Sequence, residues 1–289
     1  MKVAIFCYRP LNGSTENIER IAKTENALRT MFEVVPAREA ELGLVIGGDG
    51  FMTKTVKECV GYAKEEGPQY IRHDITFYGI NRGTYGFLMN DHDDADDVRA
   101  GIQSAEWIEF PLLEAEVREI DDSTISVLAF NDVFTKTTTA QSAKHRVRIN
   151  GQNILGVDPA GKEIIYSGDG LLVCTPGGST AYNRAAHGII IDHRSMSLGL
   201  TPISPFLPIG FSPQLLPSNA EVEIEILEDD KRKHLVIADN IEFCRVKSVK
   251  IRKAKRTVTL GFKPNGTYFQ KTLELRFPWL KGQTTTVKI

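Results

Sequence analysis

The chain has 289 residues, 42% hydrophobic and 25% charged, with a formal net charge of −2. That is enough for one large or two moderate domains with real cores, and the balance excludes a disordered chain. The near-neutral charge gives no global pull toward nucleic acid or a membrane surface. Four scattered cysteines, Cys7, Cys59, Cys174 and Cys244, have no close pair and no histidines at metal spacing. They argue against a zinc site and a disulfide scaffold and suit a reducing cytoplasm. The apolar start meets Arg9, Pro10 and Gly13 too soon to be a signal peptide or a membrane span.

In chain order, residues 2–8 predict a buried strand and residues 10–13 a loop. Ile18, Ile21, Ala22, Leu28, Met31 and Phe32 recur at helical spacing, with Ser14 or Thr15 as N-cap. Val34 and Val35 suggest a short strand. Residues 42–46 form the next buried strand and end on Gly47-Gly48-Asp49-Gly50. Met52, Val56, Val60 and Ala63 then mark one face of a helix closed by Gly67-Pro68. Residues 75–80 are another strand. Strands alternating with helices predict a parallel, doubly wound (Rossmann-like) sheet, whose ligands bind beyond the carboxyl ends of the strands. The acidic run 91–97 reads as a helix start with solvated carboxylates.

From about Trp107 strand follows strand: alternation at 113–118, a strand at 126–130, and Val147 and Ile149 before an Asn150-Gly151 turn. Further strands are expected at 222–227, 235–238, 249–252 and 257–260. This predicts a second, mostly β, sandwich-type domain. The basic run 247–256 alternates with Val249 and Ile251 and lacks interleaved aromatics, so it reads as the wet face of a strand, not an RNA surface. The expected division is 1–105 for the α/β domain, 106–266 for the β domain, and 267–289 for a C-terminal segment.

Residues 167–188 carry the most chemistry. Asp169 sits between two glycines, so its carboxylate projects from a tight turn. Residues 171–174 read as a buried strand. Thr175-Pro176-Gly177-Gly178-Ser179-Thr180 then offers free N–H groups and hydroxyls at an apparent helix start running through residues 181–186. The bland alternative is an ordinary strand–loop–helix connection. His187, His193 and Asp192 beside Ser179 raise a Ser-His-Asp hydrolase, but no Gly-x-Ser-x-Gly elbow is present.

Taken together these motifs resemble the NAD kinase family. The family's Gly-Gly-Asp-Gly turn stands at 47–50, and its Gly-x-Asn-x-Gly-x-x-Gly-Phe-Leu segment at 79–88. Its Asn-Glu/Asp pair is Asn131-Asp132, and its Asp-Gly strand running into Thr-Pro-x-Gly-Ser-Thr-Ala-Tyr stands at 169–182. The first motif is shared with lipid kinases and phosphofructokinases; the second part is highly specific.

The resemblance implies a transferase that moves the terminal phosphoryl group of ATP, or of polyphosphate in some members, to the 2′-hydroxyl of the adenosine ribose of NAD. It implies Mg²⁺ carried on the ATP phosphates, a homodimer or homotetramer, a cytoplasmic location, and no dedicated metal cluster. With no Walker-type loop, phosphates would rest on N–H groups of Gly47, Gly48 and Gly50. Asp49 maps onto the catalytic base, where an isolated Gly-Asp-Gly would be a turn former. Phe87 counts with the nucleotide-binding residues. Lys54 has two readings, a phosphate contact or a solvated helix lysine.

By the same mapping Asn131 and Asp132 hold the adenosine, with Asp one methylene shorter than the commoner Glu; their bland reading is an Asx turn. Thr180, Ala181 and Tyr182 form the adenosine pocket, and Asn183, Arg184 and Ala185 extend it. Asp169 approaches the nicotinamide end. Asp239 matches a family aspartate, with Asn240 replacing the glycine that usually follows; both residue types tolerate left-handed backbone. The C-terminal segment is expected to return to the first domain. Two rivals remain: a lipid kinase, against which the 175–182 segment and the Asn131-Asp132 pair speak, and a non-catalytic NAD(P) sensor, against which Asp49 speaks.

Overall fold

The structure, a computed structural model, describes residues 1–9, 15–60, 74–264, 271–273 and 277. The expected loop at 10–13, Ser14 as a cap, Ala63, the Gly67-Pro68 helix end and most of the 267–289 segment lie outside these residues. By contact the chain divides into two units, Met1–Thr55 with Arg72–Ile108 and Thr259–Ile289, and Val56–Ile71 with Glu109–Val258.

The first unit alternates β1 (Lys2–Cys7), α1 (Thr15–Met31), β2 (Glu33–Val34), β3 (Leu42–Gly47), the first part of α2 (Asp49–Val60, counted with the second unit from Val56), β4 (Thr76–Asn81) and α3 (Ala95–Gln103). Its strands pair in parallel in the order β2-β1-β3-β4, and Leu260 and Gly261 add a last parallel partner to β4. β3 is buried along its whole length, as a strand covered on both faces must be. Ile21 and Leu28 of α1 and Val98 and Ile102 of α3 pack with Leu44, Ile46, Tyr78 and Ile80 on one face. Met52 of α2 lies against Gly79, which points the opposite way, so helices cover both faces. Asp94 caps α3 by accepting from the N–H of Asp97 at 2.8 Å, so the acidic run is the helix start that the sequence predicts.

Because β1 lies between β2 and β3, the winding reverses between the carboxyl ends of β1 and β3, where open α/β sheets form a crevice. An open cleft of about 360 Å³ lies there, lined by Cys7, Tyr8, Arg9, Gly50, Phe51 and Lys54.

The second unit holds β5 (Glu106–Glu119), β6 (Thr124–Ala129), β7 (Asp132–Thr137), β8 (Ala143–Ile149), β9 (Gln152–Asn153), β10 (Tyr166–Gly168), β11 (Gly170–Cys174), α4 (Tyr182–Ala185) and β12 (Leu198–Ile203). These are followed by β13 (Gln214–Leu216), β14 (Glu221–Ile226), β15 (His234–Ala238), β16 (Ile241–Cys244) and β17 (Val246–Phe262). One sheet runs β10-β8-β14-β17 with β5 and β6 beyond, and the other runs β13-β12-β11-β7-β15-β16, antiparallel throughout. Leu113, Val147, Ile224 and Val249 of the first sheet share one core with Leu171, Val173, Leu200 and Val236 of the second. The unit is therefore a sandwich.

Three local expectations change. The strands expected at 249–252 and 257–260 are one strand, β17, with Ala254 buried between them although strict alternation lapses through the basic run. The helix expected through 181–186 is a 3₁₀ turn at Gly178–Thr180 and a single turn, α4. It stops because His187 turns left-handed and the Asn183 side chain donates to the carbonyls of Ser179 and Ile189. β7, β9, β10, β12, β13 and β16 have no counterpart in the sequence reading; β9, β10, β13 and β16 are short, β12 carries Pro202, and β7 is a six-residue strand directly after the Asn131 turn.

Candidate active site

In the first unit, β3 delivers its last residue, Gly47, into the turn, and α2 begins at Asp49. The Gly47 carbonyl accepts from the N–H of Arg82 at 2.7 Å. A Cβ on Gly83 would stand 2.9 Å from Gly48 Cα, so only glycine lets the two loops meet. Oδ1 of Asp49 accepts from the N–H of Leu88 at 2.7 Å, which leaves Oδ2 without a partner among the described residues. Asn81 organises the second loop: its Oδ1 accepts from the N–H of Gly83 and its Nδ2 donates to Asp91. Gly86 sits at φ +69°, with the Asn81 amide where a Cβ would be.

Gly47 is a buried strand residue, whereas Gly48 is half-buried and Gly50 exposed, with open space where its Cβ would point. Of the three, Gly50 has the most open surroundings. Lys54 is exposed on the cleft wall with Arg9. Phe87 is buried, stacked on the exposed Tyr85. The expected nucleotide contact of Phe87 would be made from this buried, stacked position.

In the second unit, the Asn131-Asp132 turn leads into β7. One carboxylate holds it: Asp239 accepts from the N–H groups of Phe130 at 2.9 Å, Asn131 at 2.7 Å and Asp132 at 3.2 Å. Thr175 braces the turn from the other side, donating to the carbonyl of Phe130 at 2.7 Å while its backbone N–H donates to that of Asn131. With its backbone so engaged, the half-buried Asn131 keeps its side-chain amide free of partners among the described residues. The Asp132 carboxylate is buried and likewise lacks a hydrogen bond there. Burial, then the neighbouring Asp239 charge, pushes it up to about 7, against the pull of Lys57.

Asp169 stands exposed in the bend between β10 and β11. Tyr182 lies edge-on to Phe134 with centroids 4.9 Å apart. Burial raises its phenol above the usual range, helped by the charges of Asp169 and Asp132, so these three side chains share one neighbourhood. Ala181, Arg184 and Ala185 are exposed beside Tyr182, and Thr180 is half-buried. Asn183 is fully buried, and its Oδ1 accepts from the Thr201 hydroxyl at 2.6 Å. Its amide also donates to the carbonyls of Ser179 and Ile189, which braces the turn.

Ser179 is also buried, donating to the Pro176 carbonyl at 2.7 Å and accepting from the N–H of Ile191 at 3.1 Å. That removes the hydrolase alternative, since the hydroxyl is neither exposed nor bound to an imidazole. At the Asp239-Asn240 hairpin the left-handed residue is Asp239, at φ +52°, and not Asn240.

Lys57 is absent from the sequence reading. It lies in the Val56–Ile71 stretch of the second unit, buried, 3.1 Å from the Asp239 carboxylate and 2.6 Å from Oδ1 of Asn240. The available signal was its place between Thr53, Val56 and Val60 on the buried face of α2, where a lysine needs a partner.

Residues 122–260 match the family model described as ATP-NAD kinase C-terminal domain. The chain is 32% identical over 260 residues to an NAD kinase of Rhizobium meliloti, covering 90% of this chain and 93% of that protein. It is 36% identical over 241 residues to an NAD kinase of Mesorhizobium japonicum, covering 83% and 86%. Among solved structures, yeast NADH kinase complexed with NADH superposes with a TM-score of 0.72 at 18% identity, over 100% of this chain and 90% of that one. An Archaeoglobus fulgidus NAD kinase in complex with ATP gives a TM-score of 0.67 at 22% identity, over 96% and 99%.

Proposed function

The chain belongs to the NAD kinase family, and from that premise we propose that it phosphorylates the 2′-hydroxyl of the adenosine ribose of NAD with ATP, giving NADP and ADP. The observation that carries this reading is the Asn131-Asp132 turn. An amide and a buried carboxylate, both without hydrogen-bond partners among the described residues, stand side by side on a backbone held by Asp239 and Thr175. An amide matches the donor and acceptor edge of adenine, and a carboxylate accepts from ribose hydroxyls. Tyr182 supplies a ring for the base, and Thr180, Ala181, Arg184 and Ala185 border it.

Asp49 is the proposed base. With Oδ1 fixed by Leu88, Oδ2 takes the 2′-hydroxyl proton as the ribose oxygen bonds to the terminal phosphorus and the bond to the departing ADP oxygen breaks. Gly48 and Gly50 give the phosphates close backbone approach, and Lys54 offers a cation beside them. Asp169 is assigned to the nicotinamide end. ATP enters as its Mg²⁺ salt, the ion offsetting phosphate charge. No three His, Cys, Asp or Glu converge among the described residues, and an ion that keeps its waters and arrives on phosphates needs no such cage. A homo-oligomer in the cytoplasm completes the proposal; no helix among the described residues is long and apolar enough to cross a membrane.

The test is to incubate the protein with Mg²⁺, ATP and NAD and to read NADP with an NADP-specific dehydrogenase. NADP formation is expected. Turnover of diacylglycerol or a sphingoid base instead, or NAD(P) binding without product, would overturn the assignment.

A further inference from the structure

We propose that Lys57 is a positioning residue of the nucleoside site, acting through Asp239 to set the orientation of Asn131 and the charge of Asp132. This rests on the reading of the Asn131-Asp132 turn as the nucleoside holder.

A buried lysine is rare and costly unless paired, so its partners show what it is for. Lys57 meets the Asp239 carboxylate at 3.1 Å and Asn240 Oδ1 at 2.6 Å, with Lys57 and Asp239 side chains 6% and 4% exposed. The same carboxylate accepts from three consecutive backbone N–H groups, those of Phe130, Asn131 and Asp132. One ammonium therefore fixes one carboxylate, and that carboxylate fixes the turn.

The arrangement has an electrostatic consequence. The groups acting on the Asp132 carboxylate are Asp239, which favours its protonation, and Lys57, which opposes it; the Cys174 thiol and the Tyr182 phenol lie within its field. Without Lys57, Asp132 faces Asp239 alone and takes up its proton at higher pH. A protonated Asp132 presents an O–H donor where the ionised form only accepts, so it accepts less well from ribose hydroxyls. Lys57 thus limits the rise of the Asp132 carboxyl, which stands at about 7 even with the lysine beside it, and losing Lys57 would leave less of the ionised form at neutral pH. A merely structural lysine would not touch the pH dependence of NAD binding.

The experiment measures the NAD dissociation constant between pH 6 and 9 for the wild type, K57M, K57R and N240A, with N131A and D132N as references and KM for ATP as control. K57M is expected to weaken NAD about tenfold, as small displacements of a holding group do. It should also move the acid limb of binding upward by on the order of one pH unit, with KM for ATP unchanged. K57R should stay near wild type, and N240A should weaken NAD in the same direction by less. Folded K57M with wild-type affinity and an unmoved limb overturns the proposal. A K57M chain that does not fold leaves the decision to N240A and K57R: wild-type NAD binding in N240A overturns it as well. Unchanged NAD binding in N131A and D132N would instead overturn the underlying reading of the turn.

Discussion

The backbone N–H of Leu88 donates to Oδ1 of Asp49 at 2.7 Å. Two motifs 39 residues apart thereby meet at one oxygen, and the second oxygen has no partner among the described residues. A side chain that only formed a turn would bond to its own loop; this one is oriented by another. Asp49→Asn keeps an oxygen for Leu88 and loses only the ability to take a proton. The variant should unfold at the wild-type denaturant midpoint and lose about 10²–10⁴ in kcat. Full activity in Asp49→Asn would remove the base from the mechanism.

Asp132→Asn should weaken NAD and stabilise the fold at alkaline pH. The folded carboxyl is pushed up to about 7 from 3.8, so its stabilising contribution is present below 3.8 and lost as pH rises through 7. The neutral amide avoids that loss. The stability gap between variant and wild type, from urea midpoints, should widen in favour of Asn from pH 4 to pH 8. A gap that stays constant would mean that Asp132 is not held protonated by its surroundings.

Gly178→Ala should damage the turn without touching a substrate group. A Cβ there would stand 2.0 Å from the Asn131 carbonyl oxygen and 2.6 Å from its Cα, backbone that has no rotamer to escape into. The expected cost is about 1–3 kcal/mol in denaturant unfolding, with KM for NAD raised more than KM for ATP. Equal effects on both would place the disturbance elsewhere.

Tyr182→Phe and Tyr182→Ala separate ring from hydroxyl. The ring packs edge-on to Phe134 at 4.9 Å and is 37% exposed, so one face is available. Phe should keep NAD affinity within about twofold, and Ala should lose about 1–3 kcal/mol of binding, the usual worth of a base stacked on an aromatic side chain. Loss in Phe equal to that in Ala would assign the role to the phenol.

The sandwich core should make the protein acid-labile. His145 is fully buried, bound through Nε2 to the Thr135 hydroxyl at 3.0 Å and stacked on Tyr166. Burial, then His234, pushes it down to about 3 from 6.5. The neutral ring contributes stability above 6.5 that is lost as pH falls, because the unfolded chain takes the proton first. Unfolding free energy should therefore decline from pH 6.5 to 4.5, and the slope should be shallower in His145→Gln. The same slope in both would exonerate His145.

Much of the architecture was legible along the chain. The apolar runs of β1, β3 and β4 alternating with amphipathic helices announce a parallel sheet, and a parallel sheet places Asp49 and the 82–86 loop at its carboxyl edge. The period-two pattern of β8, β14 and β17 announces the sandwich. The glycines at 48, 83, 86 and 178 are turn signals whose need becomes visible in the close backbone and side-chain approaches they permit. Lys54 and Asp169, read as accessible, are exposed.

Other features depend on residues far apart in sequence, and no local pattern carries them. Periodicity places a side chain on a face but does not say what meets it there. Lys57 and Asn240 are 183 positions apart, and Asp239 reaches back 107 to 109 positions to the turn it holds. Phe87 and Asn183 match the family pattern equally well whether turned in or out; packing turned both inward, because a buried ring and a fully bonded amide are each more favourable than their exposed alternatives. The amino-acid order determined which elements form and which residue types reach the ends of the strands. Only the tertiary structure decided which of those residues stay free for a ligand, since that depends on every backbone N–H and carbonyl nearby already having a partner.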